Sequence, residues 1–144
     1  MNADRPPDLR SRFRWAWKIA QAGSYERKGD FERALRDLDD AAKIWPLRAP
    51  DRVLRARLLL RNQCYQEGHG AFAALRDEFK ASDDPYLQYL RHYCTYVLSG
   101  LTRSSAQWSY EAKQASLIGC RAALKRRFPM ITVDGIHERI QPRR

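Results

Sequence analysis

The apolar residues of this chain recur every three or four positions over nearly its whole length, and no other sequence feature restricts the fold as strongly. This spacing places apolar side chains on one face of an α-helix. Strict alternation of apolar and polar residues, the pattern of a half-buried strand, nowhere extends beyond about four residues. The sequence therefore predicts an all-α protein. In its first helix the residues at helical spacing are Phe13, Trp17, Ala20 and Tyr25.

The chain of 144 residues is long enough to bury a hydrophobic core without a metal ion or a disulfide. Its apolar segments are interrupted by Arg or Lys, so we expect neither a membrane-spanning helix nor a secretory signal. The cysteines Cys64, Cys94 and Cys120 have the spacing of neither a disulfide framework nor a zinc site. We expect reduced, buried thiols in a cytoplasmic protein.

Proline, glycine and aspartate residues mark where the predicted helices begin and end. Pro7 and Asp8 suit the first turn of the first helix, and Gly29 suits the tight reversal after it. Asp30 then offers a cap to the second helix, which ends at Trp45-Pro46. The other predicted boundaries are a third helix from Pro50-Asp51 to Gly68, a turn at His69-Gly70, a fourth helix ending before Ser82, a fifth over 86–99 closed by Gly100, and a sixth over about 104–127 ended by Pro129.

Recurring glycines and prolines divide the chain into three helix pairs, at about 8–46, 50–84 and 85–129, followed by a basic tail at 130–144. Within residues 15–48 the spacing of eight residues resembles the tetratricopeptide repeat (TPR). These residues are Ala22, Tyr25, Gly29, Phe31, Ala34, Leu38, Ala41 and Pro46.

The resemblance implies a fold of stacked antiparallel helix pairs. In the first pair, Ala22 and Ala34 stand at the helix crossing, where two small residues let the helices approach closely. The later pairs have Arg61 and Tyr93 where the pattern has a small residue. The resemblance thus implies a short TPR-like α-solenoid over 1–129, with the tail packed on it or partly mobile.

Residues that could carry catalysis are few and scattered. The histidines His69, His92 and His137 fall in a predicted turn, a helix and the tail, and His137-Glu138 lacks the second histidine of a zinc-protease helix. The sequence has no phosphate-binding glycine loop and no nucleophile motif. We therefore expect a protein that binds rather than catalyses, without a cofactor or a metal ion.

Candidate partner-binding residues come from a tyrosine stripe and from the resemblance. The stripe on the fifth predicted helix lies beside a second, apolar stripe, and either both are buried between helix pairs or one lines a groove. The resemblance to TPR proteins implies groove positions at Arg55, Asn62 and Tyr65, and Arg27 is a further contact for an acidic segment. The predicted partner-binding residues are Arg27, Arg55, Asn62, Tyr65, Tyr86 and Tyr89; the apolar stripe is Leu87, Leu90, Cys94 and Val97.

Positive charge is concentrated at the carboxyl end. The net charge is +10, and the last 24 residues hold seven basic residues against two acidic ones. Such a cluster attracts nucleic acid or another polyanion. The predicted anion-binding residues are Arg121, Lys125, Arg126 and Arg127.

The sequence thus predicts a small, non-catalytic adaptor that binds another protein or a peptide. Acidic partners are among the candidates, and binding to a membrane is not expected. Two alternatives stay open. One is a dedicated inhibitor or chaperone of a single cognate protein, of the immunity-protein or antitoxin kind. The other is binding of a nucleic acid or another polyanion through the basic carboxyl end.

Overall fold

The computed structural model describes the backbone of residues 5–101 and 106–127, and the side chains of 5–99, 114–123 and 125. These residues form six α-helices and no strand, which confirms the all-α prediction for this part of the chain. None of the helices described is long and apolar enough to cross a membrane. The predicted tail at 130–144 lies outside the described residues. The helices are α1 (Leu9–Lys28), α2 (Phe31–Ile44), α3 (Ala49–Arg61), α4 (Tyr65–Phe79), α5 (Pro85–Leu101) and α6 (Ala106–Arg127).

Contacts group the chain into two compact units, Met1–Gly68 and His69–Arg144. In the first unit, α1 packs against α2, and α2 packs against α3. In the second unit, α5 packs against α6. The boundary between the two units falls within α4.

The ends of α1 and the start of α2 follow the sequence prediction. The Asp8 carboxylate accepts a hydrogen bond from the backbone N–H of Ser11 at 2.8 Å and caps α1. Gly29 adopts a left-handed φ of 80° and closes α1. The Asp30 carboxylate accepts from the backbone N–H of Arg33 at 3.3 Å and caps α2. These three residues therefore begin and end the helices where the sequence predicts.

The core of the first unit forms where α1 crosses α2. Ala22 and Ala34 are fully buried in one cluster with Leu38 and Leu58. Neither alanine has a side-chain atom beyond Cβ, so α1 and α2 can approach closely here. The residues packed around this cluster are Ile19, Tyr25, Phe31, Leu35, Leu47 and Leu54.

The packed face of α1 differs from the predicted one. Trp15 is buried, whereas Phe13 and Trp17 are exposed to solvent. The Trp15 indole N–H donates to the backbone carbonyl of Trp45 at 3.0 Å, and the two indole rings meet edge to face at 5.1 Å. Apolar residues occur on both sides of α1, and this hydrogen bond favours the orientation with Trp15 inside.

The turn between α3 and α4 is also displaced from its predicted place at His69-Gly70. It lies at Asn62–Cys64, and Gly68 is part of α4. The N–H of Cys64 donates to the carbonyl of Leu59 and the N–H of Gln63 to that of Leu60, which is the hydrogen-bond pattern of a Schellman motif. Gln63 takes the left-handed position, at φ 64°, that glycine usually occupies. Sequence signals based on glycine therefore miss this turn.

Two of the glycines expected in turns lie inside helices. Gly68 packs against α3, since a Cβ there would lie 2.5 Å from Leu60 Cδ2 and 3.2 Å from the Leu60 backbone nitrogen. Gly100 belongs to α5, which continues to Leu101 rather than ending at the glycine. Gly68 therefore leaves room for Leu60 and does not reverse the chain.

In the second unit, the side of α5 that includes Leu90, Cys94 and Leu98 is buried. Cys120 of α6 is buried as well, and its thiol donates to the backbone carbonyl of Tyr89 at 3.8 Å. Burial raises the pKa of the Cys94 and Cys120 thiols to about 12. All three cysteines are free; Cys94 and Cys120 are buried as predicted, whereas Cys64 is only partly buried.

The helix crossing predicts that side-chain volume is tightly restricted at Ala34 but not at the exposed positions of α2. We expect Ala34→Leu to lower the free energy of unfolding by about 1–3 kcal/mol, because the added atoms must enter a closed contact. Ala42→Leu places the same side chain at an exposed position of α2 and should change stability little. Urea denaturation of both variants measures the difference, and equal stabilities would contradict a close crossing.

The two glycines inside α4 should respond oppositely to alanine. Gly70 has open space around its Cα, so Gly70→Ala should stabilise the protein by about 0.5–1 kcal/mol through helix propensity. Gly68→Ala gains the same propensity but forces Leu60 and its backbone away, so it should destabilise. Thermal unfolding of both variants tests this, and a stabilising Gly68→Ala would show that Leu60 does not approach Gly68 closely.

Candidate functional site

The most exposed apolar surface described lies along α1. Leu9, Phe13 and Trp17 are 82%, 73% and 57% exposed and stand four residues apart, so they form one stripe on the helix. Arg10 and Arg14 border the stripe. We call these five residues the α1 face. Large apolar side chains exposed together, rather than singly, are characteristic of an interaction site.

The α1 face includes a shallow hollow. A cavity of about 370 Å³ is lined by Arg10, Phe13, Arg14 and Trp17. Two aromatic and two arginine side chains line it, and its surface is almost entirely apolar. A hollow of this kind can take an apolar side chain and, at its edge, a carboxylate.

The charge along α1 is almost entirely positive. The helix contains six basic residues and one acidic residue, Glu26. The Glu26 carboxylate accepts two hydrogen bonds from the Arg57 guanidinium of α3, each at 2.8 Å. Because this carboxylate is turned toward α3 and bound there, it does not offset the arginines of the α1 face.

The side of α1 opposite the face is held in place by its packing. Trp15 is enclosed by Trp45, and the Arg48 guanidinium lies over the Trp15 ring at 5.3 Å. The Arg12 Nε donates to the Pro7 carbonyl at 2.9 Å, and its guanidinium lies 5.9 Å from the Trp45 ring. These contacts fix which side of α1 faces solvent.

The residues predicted for a groove are placed separately. Arg27 is exposed on α1, Asn62 is the C-cap of α3, and Tyr65 is exposed at the start of α4. The Arg55 Nε donates to Asp39 of α2 at 2.9 Å. Among the described residues, no hydrogen bond, ion pair or ring contact joins any two of Arg27, Arg55, Asn62 and Tyr65.

On α5 the predicted tyrosines Tyr86 and Tyr89 stack on each other with ring centroids 6.0 Å apart, and both are partly buried. The neighbouring apolar stripe includes the buried Leu90 and Cys94, so this part of it is core. The predicted anion-binding residues Arg121 and Lys125 are exposed on α6. Arg126 and Arg127 belong to the backbone of α6, but their side chains lie outside the described residues.

The second unit contains a cleft that the sequence did not predict. Its volume is about 420 Å³, and three of its lining residues are cationic. We call it the basic cleft; it is lined by Arg76, Asp77, Lys80, Arg91, His92, Thr95, Ala115 and Ser116. The residues come from α4 and its carboxyl end, from α5 and from α6. Their distances along the sequence explain why no local motif reveals the cleft.

His92 occupies a defined position in the basic cleft. Its Nε2 lies 3.2 Å from Nη2 of Arg91, and because arginine can only donate, Nε2 accepts and the proton of the neutral ring is on Nδ1. Gly119 of α6 faces the ring, and a Cβ there would overlap it. Desolvation and, second, the charge of Arg91 lower the pKa of His92, which favours the neutral imidazole.

The arrangement provides binding groups rather than a metal site. In the part of the chain that the structure describes, no group of three or more His, Cys, Asp or Glu side chains could hold a metal ion. The α1 face offers apolar area with positive charge beside it, and the basic cleft offers converging cations. Both surfaces are suited to partners or ligands that carry negative charge.

The lowered pKa of His92 predicts a pH dependence of stability. The unfolded chain binds the proton more readily, at a pKa near about 6.5, so the contribution of neutral His92 is present above that pH and is lost below it. The surrounding charges are Arg76, Lys80 and Arg91, with Asp77 opposing them.

We expect the free energy of unfolding to fall less between about pH 7.5 and 5.5 in His92→Gln than in the unmodified protein. Urea denaturation at the two pH values measures it. The matched control is His69→Gln, at an exposed position of α4, which should keep the full pH dependence. An unchanged pH dependence in His92→Gln would contradict the assignment.

No protein-family model, no curated protein and no solved structure matches the chain.

Proposed function

We propose that this protein is a non-catalytic protein-binding module whose α1 face binds an acidic, amphipathic helix of another protein. The observation that carries the proposal is the exposed stripe of Leu9, Phe13 and Trp17 beside Arg10 and Arg14. The proposal places the principal contact on α1 rather than in the predicted groove at Arg55, Asn62 and Tyr65.

The α1 face carries two exposed aromatic side chains. Phe13 and Trp17 are more than half exposed, and burying such a side chain contributes roughly 1.5–3 kcal/mol. Tryptophan and arginine are also among the residue types that most often dominate binding energy at interfaces. A partner that covered the stripe would therefore gain affinity from a small number of side chains.

The shape and charge of the face favour a helical, acidic partner. From Leu9 to Trp17 the stripe is about 12 Å long, which is roughly two helical turns. An amphipathic helix with apolar residues at i, i+3, i+4 and i+7 matches that length. Acidic residues beside its apolar positions would meet Arg10 and Arg14, and the hollow of about 370 Å³ can accept one of its apolar side chains.

We also propose that the pair α1–α2 is built like a TPR unit. The support is the buried contact of Ala22 with the α2 residues around Ala34 and the left-handed Gly29 between the helices. The function does not depend on a complete solenoid, because the α1 face belongs to this pair alone. An adaptor and a dedicated inhibitor could both use the face and differ in how many partners they accept.

A displayed library of helical peptides about 16 residues long, or roughly four turns, tests the proposal. The library keeps apolar residues at i, i+3, i+4 and i+7 and varies the flanking positions among Glu, Gln and Lys. We expect selection on this protein to enrich Glu at the flanks and the selected peptides to bind saturably by fluorescence polarisation.

The variant Trp17→Ala should weaken the selected peptides by about tenfold or more, as for a dominant interface residue. Tyr65→Ala is the matched control, since Tyr65 is also exposed, at 60%, but lies outside the α1 face. Its effect should be less than about twofold. Loss of binding in Tyr65→Ala alone would favour the predicted groove, and unchanged binding in Trp17→Ala would overturn the proposal. Binding to anionic vesicles without any peptide binding would overturn it too.

A further inference from the structure

The basic cleft of the second unit differs in chemistry from the α1 face, and the proposed function does not use it. It has a volume of about 420 Å³, which is enough for a small organic molecule rather than for an ion alone. Among its lining residues only Ala115 has no polar side-chain group, and Thr95 and Ser116 carry small hydroxyl groups. The cleft therefore combines apolar surface with three cationic groups.

The charges that line the cleft leave a surplus of two positive charges. Arg76, Lys80 and Arg91 supply three cations, and Asp77 supplies one carboxylate. The Arg76 Nε donates to Asp77 at 3.2 Å, which leaves the terminal nitrogens of Arg76 for another acceptor. A ligand with two negative charges would balance the surplus without leaving an unpaired charge in the cleft.

Contacts within the cleft position two of its groups before any ligand binds. The Arg91 guanidinium donates to Nε2 of His92, and the Thr95 hydroxyl donates to the Arg91 carbonyl at 3.0 Å. Gly119 leaves room for the His92 ring between α5 and α6, where any larger residue would displace it. The Nδ1–H of neutral His92 is a further donor on the ring.

From this combination we propose that the basic cleft binds a phosphate monoester, with Arg76, Lys80 and Arg91 contacting the phosphate oxygens. A phosphate monoester carries a charge of about −1.5 to −2 at pH 7, which matches the surplus better than the single charge of a carboxylate. Arginine forks also bind two phosphate oxygens at once. The organic group of the ester would lie toward Ala115. The site binds the ester and leaves its bonds intact.

Isothermal titration calorimetry tests the proposal with two ligands, phenyl phosphate and a short phosphoserine peptide. The first represents a free metabolite and the second a phosphorylated protein, so the two titrations distinguish the source of the phosphate. We expect saturable binding of one equivalent in at least one of the two titrations. Benzoate, which keeps the ring and has a single negative charge, should bind about tenfold more weakly or not at all.

Lys80→Gln should weaken phosphate-ester binding by about fivefold or more, which corresponds to roughly 1 kcal/mol at this charge-assisted contact. Lys80 is exposed, so the fold should tolerate the change. Lys43→Gln is the matched control because it removes the same charge from an exposed position on α2, outside the cleft. It should change affinity less than about twofold.

Arg91→Gln and Gly119→Ala extend the test to the positioned groups, and circular dichroism shows whether each variant remains folded. Both should weaken binding, since one removes a cation and the other displaces His92. Absence of saturable binding in both titrations, or equal losses in Lys80→Gln and Lys43→Gln, would overturn the proposal. Peptide binding at the α1 face would be unaffected by that outcome.

Discussion

The orientation of α1 about its own axis is the constraint on which the first unit depends. Two features set it. Ala22 and Ala34 are buried where α1 crosses α2, and the Trp15 indole N–H donates a hydrogen bond to the Trp45 carbonyl. If α1 were rotated to bury Phe13 and Trp17, this hydrogen bond would be lost and larger side chains would enter the crossing. The exposed stripe is therefore a consequence of how the core packs.

The same packing determines the electrostatic character of the α1 face. Glu26 is the single carboxylate of α1, and its two hydrogen bonds with Arg57 hold it on the side of α3. The pair is partly buried and bidentate, a geometry that holds both side chains in one arrangement. The arginines beside Phe13 and Trp17 have no other carboxylate within α1, and the N-cap residue Asp8 is an acidic group that interacts with Arg10 and Arg14. Packing and charge thus favour the same type of partner.

Local signals predicted the parts of the fold that depend on neighbouring residues. Asp8, Gly29 and Asp30 act where the sequence indicated, because a cap or a left-handed turn is decided within about four residues. Two predictions failed, one for a local reason and one because of a distant contact. The turn after α3 uses Gln63 in a conformation that glycine normally marks, and the orientation of α1 depends on Trp45, which is thirty residues from Trp15. Helical spacing alone fits more than one orientation when apolar residues surround the helix.

Charge counted along the sequence concealed the basic cleft in a similar way. Residues 49–84 contain six basic and six acidic residues, so the net charge of the segment is zero. In the structure, Asp77 is paired with Arg76, and Asp84 accepts from the backbone N–H of Tyr86 at the start of α5. Carboxylates held in this way are occupied, whereas Lys80 and the terminal nitrogens of Arg76 line the cleft with Arg91 of the next helix. Helices separate charges onto faces, and it is the charge of each face that a ligand meets.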